Sequence, residues 1–446
     1  MTTLKRTADD PARATILQRI LDSPVWMVAV GLVVRVLCIV ATRAYIGAVD
    51  HSPGGTVNEM TALASSLATG HGFSSPYLVN TGPSAWTPPI YPWLTSLAFR
   101  TFGVYSYTAG FVMLVFNSVC AALTAWPIYR IARRVFNPTV AAWSGWVWAL
   151  LPYSIHASVA WIWETSLSAL LLSVLFWLTL QMEDKDGLLW WLGYGMLWGI
   201  AALLNTSIVS FLPFSGCWLA YQLHRRGKRV VVPVVLSAVV FWLVLTPWLV
   251  RNYSVFGEFI FIRDNFGNEF RGGNNPMAEG WMVNTYHAGS NHQLLKLFQQ
   301  MGEPAINAQQ ADDAKAWVAQ NPGQFLVLCL RRVYFFWAGV PVTWTGTART
   351  GVGRIKNLFY FAFSLVCIAG LFLVIKRRVC GAFLFASLVV FYPAVYYITF
   401  PTSRYRYPID PELTMMAVFL FVSLFARLRR EREAPAVSQE CAPLTS

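Results

Sequence analysis

Charged residues are scarce in this sequence. Asp, Glu, Lys and Arg together make up 12% of its 446 residues, whereas hydrophobic residues make up 56%. A soluble globular domain carries about 25% charged residues, so this composition excludes that class and predicts an integral membrane protein. Acidic residues are the rarer sign, with 21 Asp and Glu against 34 Lys and Arg. In a membrane protein this excess indicates which loops face the cytoplasm, and we predict no nucleic-acid partner.

Several patterns of ligand residues are also missing. The seven cysteines form no C-x-x-C pair, so neither a disulfide framework nor a thiolate metal site is predicted. No two histidines have the spacing of a ligand pair on a helix, and we interpret His287 and His292 as solvated loop residues. The outer loops contain no D-x-D pair, so the sequence predicts no metal ligand and no certain cofactor, and it leaves a divalent cation open.

Long apolar runs divide the chain into membrane-crossing segments. A helix needs about 20 apolar residues to cross a bilayer, and we predict an all-α polytopic membrane protein with about ten transmembrane helices. The predicted spans are 24–46, 107–128, 138–154, 164–181, 188–204, 207–223, 229–250, 357–375, 380–398 and 411–427. No cleavable signal precedes the first run, because the start of the chain is polar and basic, so we interpret that run as a signal anchor.

Basic clusters determine the predicted orientation. "RIARR", "HRRGKR", "KRR" and "RLRREREA" all fall on the side of the N-terminus, as expected for the cytoplasmic side of an inner (plasma) membrane. The resulting division of the chain is a cytoplasmic tail 1–23, a membrane domain 24–428 with exoplasmic loops at about 47–106 and 251–356, and a cytoplasmic tail 429–446. The long loops, and the chemistry they carry, therefore lie outside.

Two places put arginine inside apolar sequence. Residues 325–344 are apolar enough to span, but Arg331 and Arg332 lie near the middle of this segment. We therefore predict an interfacial or re-entrant helix whose arginines snorkel to the membrane surface. Arg35 lies in the first span, where a charge is unfavourable and usually faces the protein interior.

The first outer loop contains a short amphipathic pattern. Thr56 and Glu59 have the S/T-x-x-E spacing of a capping box, and Gly70 is placed to stop the helix. Its apolar stripe consists of Met60, Leu63, Ala64 and Leu67. From the spacing alone, Glu59 is either a helix cap or a functional acid. Asp50 is the other acid of this region.

The second outer loop is rich in polar residues. Arg251 stands where a span meets the interface, and it is either a ligand for a lipid phosphate or a snorkelling anchor. The candidates for contacts with sugar hydroxyls are Asn265, Asn274 and Asn275. Glu269 pairs with Arg271 or Arg263, or it contacts substrate.

The segment "SRYRYPIDPE" precedes the last span. If it is extended up to the proline, Arg404 and Arg406 point to one face and Tyr405 and Tyr407 to the other. Two guanidinium groups on one face are suited to grip a phosphodiester, or to anchor anionic head groups. Glu164 begins a span at the outer edge, where it is either a helix cap or a residue near the site.

Four stretches of the sequence resemble a known superfamily. "LASSLATGHGFSSPY", "GPSAWTPPIYPWLTSLAFRTFG", "TPWLVRNYSVFG" and "NFGNEFRGGNN" are similar to the outer loops of GT-C glycosyltransferases. The branch they resemble contains protein O-mannosyltransferases and aminoarabinose-type lipid A transferases. The resemblance implies two long exoplasmic loops with amphipathic juxtamembrane helices. The acidic pair usual in that family falls here on Thr56 and Val57, with Glu59 slightly downstream.

The resemblance also implies a reaction. It predicts transfer of a hexosyl or pentosyl group from a polyprenyl-phosphate donor to an unknown acceptor outside the cytoplasm, with inversion at the anomeric carbon. Glu59, with Asp50 in reserve, would be the catalytic base. The group predicted to bind substrate is Arg251, Asn265, Glu269, Asn274, Arg404, Tyr405, Arg406 and Glu164. The alternatives are a polytopic lipid or solute transporter and a catalytically inactive lipid-binding membrane protein.

Overall fold

The structure is a computed structural model that describes residues 16–51, 58–185, 187–228, 231–341 and 351–433. Within these ranges the chain is built from helices, and one isolated bridge joins Ser74 and Pro83. In chain order the helices are α1 (Ile16–Leu21), α2 (Pro24–Thr42), α3 (Ala44–Gly47), α4 (Glu59–Ala68), α5 (Ile90–Phe102), α6 (Tyr107–Leu123), α7 (Ala125–Val135), α8 (Pro138–Leu150), α9 (Pro152–Val159), α10 (Thr165–Met182), α11 (Leu188–Leu204), α12 (Leu212–Arg225), α13 (Val231–Phe256), α14 (Phe266–Gly273), α15 (His292–Met301), α16 (Glu303–Gln320), α17 (Pro322–Ala338), α18 (Gly351–Lys376), α19 (Ala382–Phe391), α20 (Ala394–Ile398), α21 (Ser403–Arg406) and α22 (Asp410–Glu433).

The predicted all-α polytopic fold is confirmed. In the described part of the chain, six helical stretches are long and apolar enough to cross a membrane. They are Pro24–Thr42, Tyr107–Val135, Thr165–Met182, Val231–Phe256, Ile355–Lys376 and Ser403–Arg429. The remaining predicted spans coincide with the shorter helices α8, α11, α12 and α19–α20. Helices α4, α5 and α14–α17 come from the two predicted outer loops.

Arg35 is fully buried in the membrane core and holds helices together. Its guanidinium donates hydrogen bonds to the carbonyl oxygens of Gly31 at 2.9 Å and Ala149 at 2.8 Å, and to the Ser154 hydroxyl at 2.8 Å. These acceptors lie on α2, at the end of α8 and on α9. A buried charge is tolerated only when such partners replace water, so the expectation that Arg35 faces the interior is confirmed.

Helix α13 approaches α11 through two glycines, Gly195 and Gly199. A Cβ atom on Gly195 would lie 2.2 Å from the Ser237 carbonyl oxygen, and one on Gly199 would lie 2.7 Å from Cβ of Val244. Small residues four positions apart allow membrane helices to pack backbone against backbone. The Ser237 hydroxyl adds a 2.6 Å hydrogen bond to the carbonyl oxygen of Trp191.

We therefore expect Gly195→Ala to destabilise the protein, because the new methyl group forces the backbones of α11 and α13 apart. Overpacking of this kind raises the free energy of the folded state by about 1–3 kcal/mol. Gly193→Ala is the matched control, since a Cβ there meets no atom within 4 Å. Thermal unfolding in detergent should show a lower Tm for Gly195→Ala alone. Equal Tm values for the two variants would contradict the close packing.

The prediction of snorkelling arginines in the 325–344 segment is wrong for Arg332. This side chain is fully buried, while Arg331 is exposed. The guanidinium of Arg332 donates hydrogen bonds to the carbonyl oxygens of Gly273 and Ile398 and to Oδ1 of Asn274. Carbonyl groups at the C-terminal ends of α14 and α20 lack partners within their own helices, and Arg332 supplies donors for them. Residues 342–344 of this segment lie outside the described ranges.

Helix α4 forms as predicted, but with a different cap. Oδ1 of Asn58 accepts hydrogen bonds from the backbone amides of Met60 at 3.1 Å and Thr61 at 3.2 Å, and the Thr61 side chain returns the contact. Glu59 is therefore the first residue of the helix and is not its cap. Thr56, the predicted cap, lies outside the described residues. The Asn58 amide also donates to the Ile162 carbonyl, which ties α4 to the segment before α10.

Candidate active site

Glu59 and His287 form a hydrogen-bonded pair between the two outer loops. Nε2 of His287 lies 3.0 Å from Oε1 of Glu59, and the side chains are 7% and 17% exposed, respectively. Burial raises the pKa of Glu59, but the His287 hydrogen bond and the charge of Arg404 outweigh it and lower the pKa below its usual value. Glu59 is thus ionised at neutral pH, at a helix N-terminus that favours an anion. The interpretation of His287 as a solvated loop residue is wrong, whereas His292 is exposed as predicted but begins helix α15.

Arg404 lies on the same site. Its guanidinium carbon stands 3.9 Å from the centre of the Trp163 ring, and its Nη2 lies 3.5 Å from the Tyr405 hydroxyl. Nε is buried and has no hydrogen-bond partner among the described residues. The positive charge of Arg404 lowers the pKa values of both Glu59 and Glu164. Arg404 therefore combines a stacked, oriented guanidinium with an unused donor.

Glu164 faces this arginine. The residue is 9% exposed, and its Oε2 is buried without a hydrogen-bond partner in the described part of the chain. Burial raises the pKa of Glu164 to about 7, against the opposing charge of Arg404. Glu164 occupies the N-cap position of α10, as one of its two interpretations predicts, but its side chain makes no capping hydrogen bond to the helix.

Glu269 and its partners form another wall of the site. Nε of Arg263 donates to Oδ1 of Asn265 at 2.6 Å, and the Asn265 amide donates to Oε1 of Glu269 at 3.2 Å. Arg263 also approaches Glu269 directly, at 3.8 Å, so the predicted pairing of Glu269 is with Arg263. Burial raises the pKa of Glu269, and the charges of Arg263 and Arg404 oppose the rise.

Tyr77 belongs to the site and was not singled out by its sequence. Its ring packs against His287, Trp86 and Phe298, with centroids 5.3–5.5 Å away. The hydroxyl is buried and has no partner among the described residues. Burial and the charge of Glu59 raise its pKa well above the usual value. A neutral phenol thus stands near the Glu59 carboxylate.

Arg251 braces the first outer loop. Its terminal nitrogens donate to the carbonyl oxygens of Ser84 at 2.7 Å and Phe73 at 2.9 Å, and its guanidinium lies 4.8 Å from the centre of the Trp248 ring. Both alternatives raised for Arg251, phosphate ligand and snorkelling anchor, give way to this observed role of fixing the loop.

Glu303 joins the same brace from the second loop. Its carboxylate accepts hydrogen bonds of 2.5 Å from the Ser84 hydroxyl and the Ala85 amide, and the residue is 1% exposed. Burial raises the pKa of Glu303 to about 8. In the unfolded chain the pKa of a glutamate is about 4.3, so between these values only the folded state holds the proton. Stability must therefore decrease as pH rises from about 4.3 to 8.

We expect Glu303→Gln to remove this part of the pH dependence. The amide keeps the shape and cannot ionise, so the Tm of the variant should gain on that of the wild type as pH rises from 5 to 8. Asp264, whose pKa burial raises to about 6, has the same sign of effect and is present in both proteins. Parallel Tm curves for variant and wild type would contradict the assignment.

The remaining predicted residues have other environments. Asn274 is fully buried and donates to the Phe270 and Ile398 carbonyl oxygens, so its predicted sugar contact is wrong. Asn275 is also fully buried, and its side-chain amide donates hydrogen bonds to carbonyl oxygens of α14. Asp50 is exposed just after α3. The ring of Tyr405 stacks on Tyr396 at 4.4 Å while its hydroxyl faces Arg404.

Arg406 points away from Arg404. The segment Ser403–Arg406 is a turn of helix and not the predicted extended strand, so residues two apart face roughly opposite directions. Arg406 is 1% exposed, with Nε 2.8 Å from Oδ1 of Asp410 and Nη1 2.6 Å from the Ser364 hydroxyl. The prediction of two arginines on one face is therefore wrong, and Arg404 alone reaches the site.

Comparison with known proteins agrees with this architecture. Residues 87–250 match the family described as dolichyl-phosphate-mannose-protein mannosyltransferase. No curated protein matches the chain by sequence. Among solved structures, the apo oligosaccharyltransferase of Archaeoglobus fulgidus superposes with a TM-score of 0.50 at 14% identity, over 92% of this chain and 51% of that one.

Two further structures cover the chain. AglB, an oligosaccharyltransferase of Archaeoglobus fulgidus in complex with an inhibitory peptide and a dolichol-phosphate, has a TM-score of 0.49 at 14% identity, over 94% of this chain and 53% of that one. ArnT from Cupriavidus metallidurans, bound to undecaprenyl phosphate, has a TM-score of 0.39 at 15% identity, over 94% and 81%. The chain spans about half the length of the oligosaccharyltransferase chains that it matches. It is a multi-pass membrane protein with the fold of the Archaeoglobus fulgidus oligosaccharyltransferase, and its segment 87–250 matches the family described as dolichyl-phosphate-mannose-protein mannosyltransferase.

Proposed function

We propose that the protein is a membrane glycosyltransferase that moves a sugar from a polyprenyl-phosphate donor to an acceptor outside the cytoplasm. The observation that carries the proposal is the convergence of an ionised Glu59 and a stacked Arg404 from opposite ends of the chain. A carboxylate and a guanidinium are the groups that this reaction needs, one for the acceptor proton and one for the leaving phosphate.

The proposed chemistry is a single displacement. Glu59 takes the proton from the acceptor hydroxyl as its oxygen attacks the anomeric carbon. The bond from that carbon to the phosphate oxygen breaks, and the electron pair leaves with the polyprenyl phosphate. Because one attack occurs from the side opposite the leaving group, the configuration at the anomeric carbon inverts.

Arg404 stabilises the leaving group. A guanidinium presents a planar fork of donors that matches phosphate oxygens, and its stacking on Trp163 fixes the plane of that fork. The unpartnered Nε of Arg404 and Oε2 of Glu164 are the polar atoms that a bound donor would satisfy. Glu164 is close enough to neutral at physiological pH to donate a hydrogen bond to a sugar or phosphate oxygen.

Arg251 positions the site and does not contact the reacting groups. By tying the Phe73 and Ser84 carbonyls to α13, it positions the loop that follows α4. Asn265 and Glu269 orient Arg263, which adds a second positive charge to the wall of the site. Both termini of the chain would be cytoplasmic in the inner membrane, so this cluster would face the periplasmic side.

The test is an assay of polyprenyl phosphate release. Purified protein in lipid nanodiscs is incubated with radiolabelled polyprenyl-phosphate sugars and membrane extract as acceptor, with and without EDTA. Transfer of label with release of polyprenyl phosphate supports the proposal, and NMR of the product reports its anomeric configuration. Movement of intact lipid across sealed vesicles would indicate a transporter instead. Binding without turnover for every donor would indicate an inactive lipid-binding protein.

A further inference from the structure

His287 has a geometry that a merely structural histidine does not need. The residue follows the 3₁₀ turn Asn284–Tyr286, and its Nδ1 accepts a 3.2 Å hydrogen bond from the backbone amide of Gly289. An Nδ1 that accepts an N–H carries no proton of its own. Nε2 therefore carries the proton that is donated to Glu59.

Packing fixes this orientation of the ring. Tyr77 stands 5.5 Å and Trp86 6.0 Å from the imidazole centroid, both edge to face. A Cβ atom at Gly289 would lie 3.1 Å from Nδ1, a closer contact than most side chains make, so glycine leaves room for the amide beside the ring. The imidazole is thus held between an amide donor on one side and a carboxylate acceptor on the other.

We propose that His287 is a positioning residue that orients the Glu59 carboxylate and keeps it ionised for proton abstraction. The inference rests on the proposed function. The hydrogen bond occupies Oε1 of Glu59, and Oε2 is assigned the acceptor proton. Because Glu59 lies in the first outer loop and His287 in the second, the base is assembled only when the two loops dock.

Among the described residues, the other titratable groups that interact with Glu59 are Arg404, Glu164, Glu269 and Tyr77. Of these, Arg404 alone favours the ionised carboxylate, and burial opposes it. Removing the His287 donor therefore shifts the balance toward the protonated acid. Loss of one hydrogen bond to a charged group shifts the pKa of that group by about 1–2 units.

The first experiment compares His287→Ala with His287→Gln in the pH profile of kcat. The amide nitrogen of glutamine can stand where Nε2 stands, whereas alanine leaves no donor. In His287→Ala we expect the acid limb of the pH profile of kcat to lie about 1–2 pH units higher, with the donor KM unchanged. In His287→Gln the acid limb should return toward the wild-type position. Identical acid limbs in all three proteins would overturn the proposal, as would a loss that glutamine does not restore.

The second experiment needs no turnover and separates this inference from the proposed function. The chain has six histidines, and ¹⁵N-histidine labelling with His287→Gln as the assignment control identifies one signal. We expect the neutral Nε2–H tautomer, with a proton shift that moves in Glu59→Gln. An Nδ1–H tautomer overturns the inference even if the enzyme transfers sugar. So does a His287 signal whose proton shift is unchanged in Glu59→Gln. If the expected signals are seen but the protein transfers no sugar, the proposed function fails. The hydrogen bond between His287 and Glu59 is then still supported.

Discussion

Glu59→Gln is expected to fold and insert like the wild type and to lose about 10²–10⁴-fold in kcat for sugar transfer. The amide has the size of the carboxylate and can still accept the hydrogen bond from His287, so the contact between the loops survives. It cannot take a proton from the acceptor. The loss should appear in kcat with little change in donor KM, because the lost interaction exists only during the reaction.

The matched control for this result is Asp50→Asn, the other acid of the first loop. Asp50 is exposed after α3, and we expect its variant to turn over at the wild-type rate. Size-exclusion profiles and Tm values for both variants confirm that any loss is chemical. Normal turnover in Glu59→Gln with loss in Asp50→Asn would move the base to Asp50. Normal turnover in both variants would remove the general base from the proposed chemistry.

The helices were predictable because hydrophobicity and length alone determine them. The predicted spans fall on helical sequence, although several of them cover two consecutive helices, and α4 forms where its apolar stripe and Gly70 indicate. The sequence pattern did not single out Asn58 as the cap of α4. The Asn58 amide also reaches the Ile162 carbonyl, which is a tertiary contact that no local spacing reveals.

The site was predictable only in part. Glu59, Glu164, Glu269 and Arg404 were chosen because charged residues are scarce in this chain and because their motifs resemble those of the GT-C outer loops. His287 could not, because a histidine in a polar loop looks solvated until the loop is docked against Glu59. Its one local signal is the glycine two residues later, which permits the Gly289 amide to approach Nδ1.

The second loop shows the opposite error, because Asn274 was predicted to contact substrate and is instead a structural residue. Asn274 and Arg332 are sequence-distant polar side chains that satisfy each other and the carbonyl ends of short helices. In a loop of short helices, the free carbonyl groups at each end require such donors. Asn274 and Arg332 are therefore structural residues, because their buried polar groups are hydrogen-bonded within the protein.

Arg404→Ala and Arg406→Ala are expected to fail in different ways, although the residues are two apart. Arg404 has an unpartnered Nε at the site, so its loss should leave Tm close to the wild type and reduce kcat by about 10²–10³-fold, as when one preorganised transition-state donor is removed. Arg404→Lys should recover only part of this rate, because an ammonium group lacks the planar fork and the stacking on Trp163.

Arg406→Ala should instead destabilise the fold by about 3–5 kcal/mol, because it leaves Asp410 buried without its partner. The double variant Arg406→Met, Asp410→Leu removes both charges and should recover most of the stability, since a buried ion pair can be replaced by apolar residues of similar size. If that double variant regains the wild-type Tm and also transfers sugar, Arg406 has no part in binding the donor. If it regains Tm but needs far more donor, the phosphate site extends to both arginines, and Arg404 does not act alone.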